Sequence, residues 1–122
     1  VQDFRKFEVW QRARVFVVGV YEVANEFPPF ERFGLASQVR RAVTSIPANI
    51  AEGAAKPSSR EFARFLDIAV GSANEVESHL ITAADLGYLK TARSGLLQRE
   101  CGEIRAMLRG LRRSVLADTS DP

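Results

Sequence analysis

The sequence predicts an all-α protein, a single domain over residues 1–122 folded as an antiparallel up-down four-helix bundle. Three observations predict it. Apolar residues recur at alternating steps of three and four through four long stretches. Short segments containing Pro, Gly or Ser separate those stretches. No run alternates apolar and polar residues with the period of two that a half-buried strand requires.

The first helix is expected over about residues 8–27, with Trp10, Ala13, Val17, Val20, Ala24 and Phe27 as its seam. A second row, Val9, Phe16 and Val23, recurs every seven residues on a neighbouring face. Two readings of that row stay open: a wide core face, or an oligomer contact through which copies of the chain meet. The segment Phe27-Pro28-Pro29-Phe30 stops the helix, because proline lacks an amide donor and clashes with the preceding turn.

The second helix spans about 33–54, with Leu35, Val39, Ala42, Ile46 and Ile50 facing the core. Pro47 falls inside it, leaves the Val43 carbonyl without its helical donor, and is expected to bend the helix. Ser58-Ser59-Arg60-Glu61 is a capping-box start for the third helix, about 59–86, whose seam is Phe62, Leu66, Ala69, Ala73, Val76, Leu80 and Ala83. Gly71, Ser72 and Ala73 at its middle are small enough to admit another helix closely, and Gly87 is the expected left-handed cap. The fourth helix, about 92–116, carries Leu97, Cys101, Ile104, Leu108, Leu111 and Val115, and residues 117–122 form a polar tail.

Composition narrows the function classes. Hydrophobic residues make up 46% and charged residues 26%, as in ordinary globular proteins. The longest apolar run, Val15 to Val20, is far short of the roughly 20 residues that span a bilayer, so no membrane partner is expected. Phe4-Arg5-Lys6-Phe7 alternates charge with aromatics and does not suggest a signal peptide. The single cysteine, Cys101, cannot form an internal disulfide, which suits a cytoplasmic location. Net charge is only +2, but 14 of the 17 basic residues are Arg, the side chain best shaped for bidentate contact with carboxylates and phosphates.

Two polar constellations stand out. On the second helix Arg41, Ser45, Asn49 and Glu52 follow at steps of four, four and three beside the seam; on the third, Ser72, Glu75 and His79 follow at steps of three and four beside its seam. Burying a carboxylate or a guanidinium alone is costly, so these rows call for partners. A pairing of the Arg41–Glu75 kind within the bundle, a network between subunits and a catalytic site are the alternatives. The fourth helix has a second feature: Arg99, Arg105, Arg109, Arg112 and Arg113 line one side, with Arg93 extending the row. That row is either a solvated face or a nucleic-acid-binding track for a phosphate backbone. No aromatics interleave with it, which argues against base stacking.

Catalytic, metal and cofactor signals are weak. One histidine cannot supply the two Glu-x-x-His motifs of a di-metal bundle, and Glu75 to His79 is a step of four. Cys101 lies on a core seam, Ser45 has no base in its sequence context, and no Gly-rich phosphate loop is present. No catalytic residue, metal ligand or cofactor is therefore expected, and the chain is read as a non-enzyme.

A resemblance adds to this reading. The motifs Phe7-x-Val9-Trp10-x-x-Ala13, Glu31-x-Phe33-Gly34-Leu35, Ser37-Gln38-x-Arg40-Arg41-Ala42, Ser45-Ile46-Pro47-Ala48-Asn49-Ile50-Ala51-Glu52-Gly53, Phe62-x-x-Phe65-Leu66 and Leu86-Gly87-Tyr88-Leu89 occur in order. Over about residues 4 to 116 the chain resembles the bacterial four-helix-bundle family encoded in intervening sequences of 23S ribosomal RNA genes. That resemblance implies a small up-down bundle assembling as a homopentamer. The family is in turn similar to accessory proteins of diversity-generating retroelements, basic pentamers that engage nucleic acid. It implies no settled activity. It singles out Arg40, Arg41, Asn49, Glu52 and Glu75, which with His79 are expected to form a structural polar network or a subunit interface. His79 stands where the family often has Gln. The resulting expectation is a homo-oligomeric bundle that binds RNA or DNA, RNA foremost, through arginine-rich surfaces; the alternative is an oligomeric protein–protein adaptor.

Overall fold

The computed structural model describes residues 2–118; the end of the expected polar tail, residues 119–122, lies outside the described residues. Four helices follow in order: α1 (Glu8–Ala24), α2 (Leu35–Ala54), α3 (Ser59–Asp85) and α4 (Thr91–Leu116), with no strand among the described residues. Short 3-10 turns at Phe4–Lys6 and Pro29–Glu31 precede α1 and α2. Neither turn is expected from periodicity, since three residues are too few to show one. Consecutive helices pack as antiparallel neighbours and α4 closes back on α1, giving the up-down bundle. The α2–α3 and α3–α4 pairs are the most extensively packed and α1–α4 the least.

Each junction has an identifiable cause. α1 stops at Ala24, short of the expected Phe27, because its last turn tightens: the Phe27 amide donates to Ala24 O at 3.2 Å ahead of the two prolines. Phe27 is nevertheless buried. Glu31 starts α2 from a distance, one carboxylate oxygen accepting the Leu35 amide at 3.0 Å and the other the Tyr88 hydroxyl at 2.9 Å. That residue therefore ties the α1–α2 and α3–α4 connections together at one end of the bundle. Ser58 Oγ accepts the Glu61 amide at 3.2 Å and caps α3. Gly87, at φ +78°, ends α3 in a Schellman arrangement: the Tyr88 amide donates to Ala83 O at 2.9 Å and the Gly87 amide to Ala84 O at 3.0 Å. α2 continues as helix through Pro47.

The core holds Val20 and Val23 of α1, Ile46 and Ile50 of α2, Leu66 and Leu80 of α3, and Ile104 and Leu108 of α4, all fully buried. One expectation about α1 is corrected here. Val9, Phe16 and Val23 are buried in the chain's own core, at 3%, 3% and 1% exposure, so the wide-core reading holds and they offer no contact area to a second copy. The aliphatic positions α1 does expose are Val15 and Val18, with the Tyr21 ring partly exposed beside them in sequence. No helix among the described residues is long and apolar enough to cross a membrane.

Candidate functional site

The arginines of α4 divide by what faces them. Arg105 donates to Glu77 at 2.7 Å and to Asn74 at 3.1 Å, both on α3. Arg112 pairs with Asp67 of α3 at 2.7 Å. Arg93, at the start of the row, engages Glu26 at 2.9 Å and Glu22 at 3.9 Å, from the α1 side. These three act as staples between elements, and the carboxylates opposite neutralise them. Arg99, Arg109 and Arg113 are exposed, with no partner among the described residues. Arg109 and Arg113 flank Arg112 in a cleft of about 390 Å³ with Asp67 and Val70. The expected row of five is thus two structural pairs and three free guanidinium groups.

The polar rows of α2 and α3 meet only in part. Ser45 Oγ and Ser72 Oγ lie 2.7 Å apart across the helix pair, and Asn49 Nδ2 donates to Ser45 O at 2.8 Å and Ser45 Oγ at 2.9 Å. This small ladder satisfies the half-buried hydroxyls and amide and sets the register of the two helices. The Arg41–Glu75 pairing is not formed. Glu75 Oε2 instead lies 3.0 Å from His79 Nε2, one turn along its own helix, a spacing that brings the two side chains together. Arg41 is exposed and lines a groove of about 360 Å³ with Gln38, Ser45, Ser72 and Glu75. Glu52 is exposed without a partner among the described residues. The adjacent Arg40 leaves the row altogether. A helical step of about 100° turns it to the α1 side, where Nη2 donates to Arg32 O at 3.4 Å and the guanidinium lies 5.9 Å from the Tyr21 ring.

Some of the bonds that position these elements have no sequence signal. Arg12 of α1 donates from Nε to Glu100 at 2.9 Å and from Nη2 to Glu103 at 2.5 Å, joining α1 to α4 from opposite ends of the chain. Those two hydrogen bonds hold the Arg12 guanidinium pKa above its ordinary value. The nearest clue in the sequence is only the position of Arg12 beside the α1 seam. Cys101, expected as a core residue, is buried, and its thiol donates to Ala73 O at 3.0 Å. Burial pushes that thiol up to about 11. Among the described residues no group of three or more His, Cys, Asp or Glu side chains is placed to hold a metal ion.

The fold and these interhelical staples define a small up-down four-helix bundle with one arginine-bearing helix face. The chain belongs to the 23S rRNA-intervening sequence protein family, whose model matches residues 5–110. It is also similar to a solved protein of unknown function from the S23 ribosomal protein family of Bacteroides thetaiotaomicron VPI-5482. That likeness has 26% identity and a TM-score of 0.77, and covers 85% of this chain and 97% of the other. No curated protein matches the chain.

Proposed function

We propose that the chain is a non-enzymatic, homo-oligomeric bundle protein that binds RNA through the free arginines of α4. The observation that carries this reading is the trio Arg99, Arg109 and Arg113, exposed on one helix and in no ion pair among the described residues, the nearby Asp67 being paired with Arg112. Phosphate oxygens are the natural complement of unpaired guanidinium groups, and repetition in an oligomer multiplies the counterions released on binding. A binding role is favoured over catalysis because the candidate nucleophiles are committed elsewhere. The Cys101 thiol is buried and pushed up to about 11, and Ser45 is bonded to Ser72 and Asn49 with no base beside it.

The test is binding of a structured RNA across a salt series. Affinity is expected to fall log-linearly with salt. Replacing Arg99, Arg109 and Arg113 by Gln is expected to flatten the slope by up to about 0.9 for each phosphate no longer neutralised. Arg105→Gln, which removes a group already paired to Glu77, should affect the slope little. Absence of affinity at low salt, or affinity indifferent to salt, overturns the reading. One observation favours the adaptor alternative: Val15, Val18 and Leu96 are exposed apolar side chains on α1 and α4. A stoichiometric protein partner recovered without sensitivity to nuclease would favour it over RNA binding.

A further inference from the structure

The corner between α1 and α2 holds a cleft of about 420 Å³, on different helices from the free arginines of α4. Its apolar floor and walls come from Ala24, Phe27, Ala36 and the Pro28-Pro29 pair, with the half-exposed ring of Tyr21 at one side. Asn25 and two guanidinium groups, Arg32 and Arg40, complete the lining, and no carboxylate is part of it. The acids nearest in sequence are all engaged away from the cleft. Glu22 and Glu26 face Arg93, and Glu31 accepts the Leu35 amide and the Tyr88 hydroxyl. Among the described residues, the positive charge of the cleft is therefore left without an ion-pair partner.

The two arginines are also under-used as donors. A guanidinium carries five N–H groups. Arg40, half-buried, spends one on a long 3.4 Å bond to Arg32 O and otherwise lies near the Tyr21 ring. Among the described residues the Arg32 side chain makes only a ring contact, 5.1 Å from the centroid of Phe33. Fork-shaped donors suit the two or three oxygens of a carboxylate or phosphate, and the flat faces of guanidinium, tyrosine and proline suit a planar body. The volume is in the range that holds a small organic ligand, which for such sites is about 300–1,000 Å³.

We propose that this cleft binds a small aromatic oxyanion, its carboxylate or phosphate head held by Arg32 and Arg40 and its ring lying against Tyr21 and the two prolines. The site is separate from the RNA reading, and neither depends on the other.

Nitrogen-15 NMR titrations of the whole chain test it, with adenosine 5′-monophosphate and indole-3-acetate as ringed anions, and adenosine and inorganic phosphate as the separate halves. At least one ringed anion should shift the amides of Tyr21, Asn25, Arg32 and Arg40 and saturate below about 10 mM, with both halves binding at least about tenfold more weakly. Saturation by the nucleotide alone assigns a phosphate head, by the indole alone a carboxylate head, and by both a shared oxyanion site. Arg32→Gln, at an exposed position that leaves the core untouched, should weaken binding by about tenfold or more, as should Arg40→Gln, while Arg109→Gln should not. Inorganic phosphate binding as well as the ringed anions, shifts that map to α4 instead, or no saturation by either ringed anion would each overturn the proposal.

Discussion

Cys101 shows how little of a side chain's chemistry survives when packing sets its surroundings. Its thiol is enclosed between α3 and α4, donates to Ala73 O, and is pushed from 9.0 to about 11 chiefly by burial. The sign of the linkage follows. Between those two values the unfolded thiol has lost its proton while the folded one keeps it, so the unfolded state binds fewer protons and stability falls as pH rises. The contribution is whole below pH 9 and is lost toward pH 11. Tyr88, raised by burial and by its bond to the Glu31 carboxylate, acts in the same direction above its ordinary value. Urea unfolding at intervals from pH 8 upward should show a declining midpoint, with a shallower decline in Cys101→Ala. A thiol reagent should label native protein slowly and unfolded protein fast. Equal labelling rates would mean that Cys101 is not enclosed.

At the scale of elements, two glycines on adjoining helices have opposite work to do. Gly53, at the end of α2, is buried where α3 begins. A Cβ there would stand 2.8 Å from Phe62 Cδ1 and 2.8 Å from Phe65 Cβ. The Phe62 ring can swing aside, but the Phe65 Cβ moves only with the α3 backbone, so the helices must separate. Gly71, midway along α3, is exposed, and a Cβ there meets nothing within 4 Å. Gly53→Ala is expected to destabilise by about 1–3 kcal/mol through overpacking, reduced somewhat by the better helix propensity of Ala. Gly71→Ala is expected to stabilise by up to about 1 kcal/mol, since only the propensity changes. Chemical denaturation of the two variants checks both signs, and a neutral Gly53→Ala would show that this approach is looser than the geometry requires.

The same elements show what a sequence can disclose. Seam spacing locates all four helices to within about three residues, and the Ser58 cap and Gly87 turn are legible because caps are local. On α1 two apolar rows compete, and periodicity cannot say that Val9, Phe16 and Val23 turn fully inward while Trp10 and Val17 stay half-buried. On α4 all the arginines look alike as letters. Only the packed structure brings Glu77 and Asp67 of α3 opposite Arg105 and Arg112 and leaves Arg99, Arg109 and Arg113 unopposed. The cleft at Arg32 and Arg40 depends on two residues eight apart across a turn, a spacing that carries no signal of its own.

For the molecule as a whole, the proposed homo-oligomer requires a surface on which copies of the chain would meet. The α1–α4 pair is the most lightly packed side of the bundle, held by Arg12 with Glu100 and Glu103 and by Arg93 with Glu22 and Glu26. Between these two ionic staples Gly19 lies close to Leu97, a Cβ site there being 3.8 Å from Leu97 Cδ2. Val15 at 69%, Val18 at 57% and Leu96 at 60% exposure lie on these two helices, and Val15 and Val18 are one turn apart on one face. Removing apolar side chains from water is the main source of association free energy, worth about 25 cal/mol per Å² buried. If this side is the assembly surface, Val15→Glu with Val18→Glu should reduce a native-mass-spectrometry oligomer to smaller species. The thermal midpoint of each separated chain should hardly change, because neither side chain belongs to the core. Val20→Glu, on the same helix but fully buried, should unfold the chain outright. An oligomer that survives the double substitution would exclude the α1–α4 side and leave the groove between α2 and α3, where Arg41 has no ion-pair partner among the described residues, as the surface to test by charge reversal.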